Sequence, residues 1–322
     1  MAYLYNWLRK RFRGRGLAVV PSGEASHSFE FVAAPPDLAP YLNSLYIWRI
    51  SDGQLDDVLP AYSGQMVVFG RGVGRMQFDD VVSDTSDAFF VAPLCQARNF
   101  SVSGPGVVFG VSLNFRGWAA LSGLSVHDYH DAFLQPETVL KDPLAERHTT
   151  LAPRWRAGEI DDGELLDAMC DIVRQGLSSL PDQHLTVIDR TLEWLSSSFK
   201  PELDVLYDQL PYSKRQAQRL VAQFFGQSPV RLVRRYRAVR AATLLSMPQL
   251  PDEIEAEIRE AFYDQAHLIK EIRFFTGRTP KRLQPNSGST INDMLGPDGY
   301  SSVSLFGAGE AEQLGREPLD EL

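Results

Sequence analysis

The chain has 322 residues, 44% of them hydrophobic, a formal net charge of −9 and an isoelectric point near 5.2. That much apolar sequence can fill two cores, and the overall acidity excludes a protein that binds nucleic acid through its whole surface. Cys95 and Cys170 are the only cysteines, which excludes a disulfide framework or a multi-cysteine zinc pattern and fits a reducing cytosol. No apolar run reaches the roughly 18 residues of a membrane span.

Residues 1–30 open with MAYLYNWLRKRFRGRG. This stretch lacks the long apolar core of a signal peptide and reads as a loose basic arm. Residues 31–180 read as a β-rich domain ending in helices. SLYIWRI, QMVVFG, AFFVAPL and GVVFGVSL are rich in Val, Phe, Tyr and Ile, with Gly and Pro between them. Short strands at this spacing predict a small β-sandwich or barrel. The GRGVG at Gly70–Gly74 reads as a turn. RGWAALSGLSVHDYHDAF then reads as a helix and a turn. Leu165, Leu166, Met169, Ile172 and Val173 fall at helical spacing within Asp161–Leu177, and so do Val187, Ile188, Leu192 and Leu195 beyond Pro181. Residues 184–284 read as all-helical, and 285–322, rich in Gly and Ser and acidic at the end, as a mobile tail.

Charge is unevenly distributed. From Arg190 to Leu283 there are 16 Lys and Arg against 11 Asp and Glu, and no acidic residue falls between Asp208 and Asp252. That gap holds Lys214, Arg215, Arg219, Arg231, Arg234, Arg235, Arg237 and Arg240. A basic block in an acidic chain is the footprint expected of a contact with phosphates.

The same region writes one phrase twice, QFFGQSPVRL at Gln223–Leu232 and RFFTGRTPKRL at Arg273–Leu283. Each phrase closes a helix-turn-helix pattern. In the first unit, Glu202–Gln209 forms a short helix with Leu203 and Leu206 inward. Ser213 caps a second helix, KRQAQRLVAQFF, whose apolar face is Ala217, Leu220, Val221 and Phe224. Lys214, Arg215, Gln218 and Arg219 stay free near its start. Arg and Gln there suit bidentate readout of base edges by a helix entering the major groove N-terminus first. The second unit repeats the plan. Asp252–Ala261 is the first helix, and Asp264 caps QAHLIKEIRFF, leaving Gln265, His267 and Lys270 free near its start. Gly226 and Gly277 stop the two reading helices in the left-handed conformation. Ser228 with Pro229, and Thr279 with Pro280, restart the chain. VRLVRRYRAVRAATLLS between the units predicts a rod of about 25 Å, able to hold two reading helices near one DNA turn apart.

SKRQAQR, FFGQSP, RRYRAVRAATLL and AFYDQAHLIKEIRFFTGRTP, together covering residues 200–284, resemble the DNA-binding domain of the AraC/XylS family of bacterial transcription regulators. The resemblance implies base reading by Arg215, Gln218, Arg219, Gln265, His267 and Lys270. It implies backbone contacts from Ser213, Lys214, Arg231, Arg234, Arg235, Arg273, Thr279 and Lys281. Three departures stand out. Ala217 replaces a larger apolar residue, and Glu257 and Glu260 join Asp252, Glu253 and Glu255 in a strongly acidic helix that phosphate repels. The N-terminal half, through PPDLAPYLNSLYIWRI and GVSLNFRGWAALSGLSVHDYHDAFL, is more weakly similar to the sensor domains of such regulators, which implies a cupin-like fold and dimerising helices.

The expectation is therefore an α+β chain with a cupin-like N-terminal domain and a C-terminal all-α domain of two helix-turn-helix units. It would be a cytoplasmic, nucleoid-associated homodimer on promoter DNA, acting as an activator in contact with RNA polymerase and tuned by a small-molecule effector. An alternative is a regulator working mainly through protein contacts, its second unit partly degenerate. His127, Asp128, His130 and Asp131 are the one candidate metal cluster. No strand offers a matching histidine pair, so they read as a solvated loop. Cys95 lacks the neighbouring cysteines of an alkyl-acceptor regulator. No phosphate loop or nucleophile elbow appears, and the sequence points to no metal, no cofactor and no enzyme activity.

Overall fold

The computed structural model of the chain describes residues 19–20, 27–246 and 250–283. The expectations for most of the basic arm and for all of the C-terminal tail lie outside these, as do Met247–Gln249. The sheet is antiparallel throughout, in the order β1 (Val19–Val20), β2 (His27–Val32), β3 (Leu42–Leu59), β7 (Arg98–Leu113), β4 (Gln65–Phe78), β6 (Ala88–Val91), β8 (Phe133–Leu134), with β5 (Val81–Asp84) paired to β4. The domain thus starts by His27, earlier than the boundary read from sequence.

Side chains alternate along each strand, as the two-residue period of a pleated strand requires. Trp48, Val67, Phe69, Phe89 and Val108 meet in one core on the inner face of the curled sheet. Ile47, Met66, Val68, Phe90 and Phe109 face the other way, onto helices. Those helices are α1 (Phe115–Ser122), α2 (Val126–Tyr129), α3 (Pro136–Val139), α4 (Leu144–Arg156) and α5 (Asp162–Gly176). The reciprocal capping box of Asp161 and Glu164 starts α5, and Leu165, Met169, Ile172 and Val173 on its buried stripe are fully enclosed.

Two strands are longer than the sequence implied. β3 runs through Gly53, and β7 through Gly104-Pro105-Gly106, where breaks were expected. Gly53 and Gly104 face each other beside a register shift, so these glycines bend the ladder without ending it. A Cβ on Gly104 would lie 1.9 Å from the Ser51 carbonyl oxygen, an approach only glycine allows. GRGVG is likewise part of β4, with register shifts at Arg71, and not the turn expected. Glycine identity alone does not distinguish a turn from a bulge.

The C-terminal part is helical: α6 (Asp182–Ser197), α7 (Leu203–Gln209), α8 (Lys214–Phe225), α9 (Pro229–Ser246), α10 (Asp252–Glu260) and α11 (Gln265–Thr276), followed by a 3-10 turn at Pro280–Leu283. Among the described residues no helix is long and apolar enough to cross a membrane. The two units have separate cores, and the N-terminal domain contributes to both. Phe115 and Ala119 of α1 join Leu206, Val221 and Phe225 in the first. Ala61 joins Ile254, Ile258, Ile272 and Phe275 in the second.

Candidate nucleic-acid interface

α8 begins at Ser213, whose Oγ accepts from Gln216 N at 3.4 Å, and ends at Gly226 with φ 76°. Ala217, Leu220, Val221, Phe224 and Phe225 are buried, so Lys214, Arg215, Gln218 and Arg219 fall on the exposed side. Ala217 is fully enclosed, which accounts for a small residue there. Two of the four polar residues have internal partners. Lys214 Nζ lies 2.6 Å from Asp204 Oδ1, and Gln218 Nε2 donates to Tyr207 Oη at 3.0 Å. Arg215 and Arg219 project without such a tie among the described contacts, beside the positive end of the helix dipole.

α11 is built the same way. Asp264 Oδ1 accepts from His267 N at 2.7 Å, and Gly277 stops the helix with φ 74°. Gln265 and Lys270 are exposed. His267 is turned inward. Its Nδ1 accepts from Tyr263 N at 3.4 Å, and its Nε2 lies 3.3 Å from Glu271 Oε1. The sequence placed His267 among the free side chains; in the structure it is half-buried, with Nδ1 at Tyr263 N and Nε2 near Glu271.

Glu271 is the centre of a charged cluster. Its side chain is 1% exposed and meets Arg234 Nε at 2.6 Å and Arg237 Nη2 at 2.5 Å. Burial works against its charge, but the two guanidinium groups outweigh it and hold the carboxyl below the usual range. Arg237 also donates to the Ala261 carbonyl at 3.1 Å and lies over the Phe262 ring. One carboxylate thereby ties α11 to the shared helix α9.

The acid-free basic run is consequently not one surface. Arg235, Arg237 and Arg240 are buried, Arg235 between the rings of Phe115 and Tyr236 and Arg240 over Phe199. The expectation that Arg235 meets a phosphate is corrected by its 5% exposure: the guanidinium stacks between rings in an interior contact. Arg234 is half-exposed and engaged by Glu271. Ser213, Arg231, Arg273 and Lys281 lie on the surface, and Thr279 is half-buried. Helical periodicity does not separate these cases, because an arginine stem packs as well as an aliphatic residue.

The C-terminal ends of α8 and α11 also touch the β domain, a contact the sequence did not announce. Gly226 comes so close to Cys95 that a Cβ there would sit 2.8 Å from the sulfur, and Gln227 Nε2 donates to the Cys95 carbonyl at 3.0 Å. At the second unit, Ala61 N donates to the Phe275 carbonyl at 2.7 Å and Ala97 N to the Phe274 carbonyl at 3.1 Å. Arg278 pairs with the buried Asp57, and a Cβ on Gly277 would strike Val58 at 2.1 Å. Both stop glycines thus serve a close approach as well as a left-handed turn.

A curled antiparallel sheet backed by helices, followed by two helix-turn-helix units on one shared helix, is the α+β architecture expected from the sequence. No family model matches the chain, and no curated protein matches its sequence. Among solved structures, ToxT from Vibrio cholerae O395 is similar over 74% of this chain and 96% of that one, at 10% identity and a TM-score of 0.41. The AraC-like transcriptional activator CuxR is similar over 70% and 86%, at 14% identity and a TM-score of 0.31. A cupin 2 conserved barrel domain protein from Rhodopseudomonas palustris covers 45% of this chain and 90% of its own, at 19% identity and a TM-score of 0.21. Likeness at this level carries no functional weight by itself.

Proposed function

We propose that this chain is a sequence-specific DNA-binding transcription regulator that presents α8 and α11 to successive major-groove segments. The observation that carries the reading is the pair of N-capped helices, each exposing polar or basic side chains over its first turns, mounted on one 18-residue helix. That helix is about 27 Å long at the α-helical rise. Arg215 and Arg219, with Gln218, read bases from the first unit; Gln265 and Lys270 do so from the second. Arg231, Arg273 and Lys281 hold phosphates. Selection of genomic fragments by the full chain tests this. Arg215→Ala and Arg219→Ala should each relax base discrimination by about 1–3 kcal/mol. Unchanged selectivity in the double variant would remove the assigned roles.

A second reading has its own support. The first turn of α10 carries Asp252, Glu253 and Glu255, and His267 is tied to Glu271. On that reading the second unit meets a protein surface and only the first grips DNA. Counterion release distinguishes the two, since affinity falls steeply with salt in proportion to the phosphates neutralised.

The β domain supplies the regulatory input in this proposal. Between the inner strands lies a partly open cavity of about 90 Å³, lined by Phe29, Tyr46, Trp48, Tyr62 and Phe89 among others. Among the described residues, Arg75 is the one charged residue in its lining. Gln65 Oε1, and Trp48 Nε1 on a cavity-lining ring, are buried without a hydrogen-bond partner. A largely apolar effector with one donor and one acceptor fits that chemistry. The resemblance extends the proposal to a homodimer that activates by touching RNA polymerase, which transcription with purified polymerase tests.

A further inference from the structure

The junction between the β domain and the first reading unit gathers three chemically distinct donors. Cys95 lies in the loop after β6, and His130 and Asp131 directly follow α2. One ligand atom from each, thiol sulfur, imidazole nitrogen and carboxylate oxygen, lies within 4.8 Å of the other two. His130 Nδ1 is 2.9 Å from Asp131 Oδ2. Asp131 Oδ1 accepts from Cys95 N at 3.1 Å and from Arg98 Nε at 3.2 Å, while Arg98 Nη2 approaches Oδ2 at 3.0 Å. Arg98 and the Cys95 amide therefore fix the carboxylate, and the imidazole meets Oδ2, the oxygen that Arg98 Nη2 also approaches.

Gln227, at the start of the loop after α8, is also buried. Its Nε2 donates to the Cys95 carbonyl at 3.0 Å, and its Oε1 has no hydrogen-bond partner. An oxygen donor without a partner thus sits on the same amide group that contacts Cys95. Leaving such an atom unmatched in the interior is costly.

We propose that Cys95, His130 and Asp131 form a binding site for a divalent metal of the zinc class, with Gln227 closing it from the first reading unit. Sulfur, imidazole and carboxylate together are a borderline-soft donor set of the kind zinc prefers. Bonds of about 2.0–2.2 Å to nitrogen and oxygen require a ligand separation a few tenths of an ångström wider than the present 2.9 Å. The ion takes the place of the proton between His130 Nδ1 and Asp131 Oδ2, leaving a neutral imidazole protonated at Nε2, and the thiol proton leaves to solvent. Two positive charges then face one thiolate and one carboxylate, and Arg98 keeps Asp79, 2.7 Å from its Nη1. With the unpartnered Gln227 Oε1 as its fourth ligand, the ion fastens the end of α8 to the β domain.

The site stands or falls independently of what α8 reads. Cobalt(II) titration of the reduced full chain should give one equivalent bound, with the charge-transfer absorption of a cobalt–thiolate bond. Cys95→Ser and His130→Gln should abolish that band, and Cys170→Ser should retain it. His130 is partly exposed, so its variant keeps the test valid if Cys95→Ser fails to fold. Zinc should also slow amide exchange around Gly226 in the wild type. Absence of the thiolate band, or a band that follows Cys170, overturns the site; unchanged exchange at Gly226 with metal bound overturns the fastening.

Discussion

Removing the Glu271 carboxylate should destabilise the second reading unit more than any other single charge change in it. Glu271→Ala leaves Arg237, 9% exposed, without its 2.5 Å partner, and frees Arg234 and His267 as well. Breaking a buried pair from one side costs about 3–5 kcal/mol. Arg237 keeps the Ala261 carbonyl and the Phe262 ring, so the lower end, about 3 kcal/mol, is expected. The assay is urea unfolding of the full chain, followed by amide exchange in α9 and α11 to localise the loss. The double variant Glu271→Met with Arg237→Met supplies the control. Replacing both charges with apolar groups of similar length removes the unpaired cation, and its stability should return to within about 1 kcal/mol of wild type. A single variant within about 0.5 kcal/mol of wild type, or a double variant as damaged as the single, would refute the reasoning. The pH dependence has a definite sign. Glu271 has a folded pKa below its unfolded value, so its stabilisation is present above the unfolded pKa and is lost as pH falls through the folded one.

Gly277→Ala should cost more than Gly123→Ala in the same unfolding assay. Both have positive φ, but a Cβ at Gly277 strikes Val58 at 2.1 Å whereas nothing lies within 4 Å at Gly123. The common conformational cost is about 1 kcal/mol, and equal losses would mean the second unit does not dock on the β domain. His148 is buried, and burial pushes it down to about 4, partly opposed by its bond to the Val67 carbonyl. Its folded pKa lies below the unfolded 6.5, so stability should be complete above pH 6.5 and fall towards pH 4, by about 3 kcal/mol. His148→Asn should flatten that slope in urea titrations. For phosphate contacts, Lys281→Ala and Arg231→Ala should weaken binding to all DNA sequences alike and lower the salt slope by about one each, while Arg235→Ala should instead appear as lost protein stability.

Local signals made the helical half legible. Ser213 and Asp264 cap α8 and α11, Gly226 and Gly277 stop them, and the apolar stripe of each is buried where the 3.6-residue period places it. These are interactions within a few residues of sequence, and such interactions are written locally. The strands were legible as strands but not in length, because Gly53 and Gly104 read identically as ends or as bulges until their register against each other is known.

What the sequence by itself determined is the alternation of faces, the capped helices and the doubled helix-turn-helix unit. What only the tertiary structure decided is which charges remain outside. Arg235, Arg237 and Arg240 share the basic block with Arg215 and Arg219, yet burial against Phe115, Phe262 and Phe199 removes them from the surface. The junction of Cys95, His130 and Asp131 with Gly226 and Gln227 joins residues from distant parts of the chain. Their proximity follows from how the β domain seats on the helices, which no periodicity along the chain records.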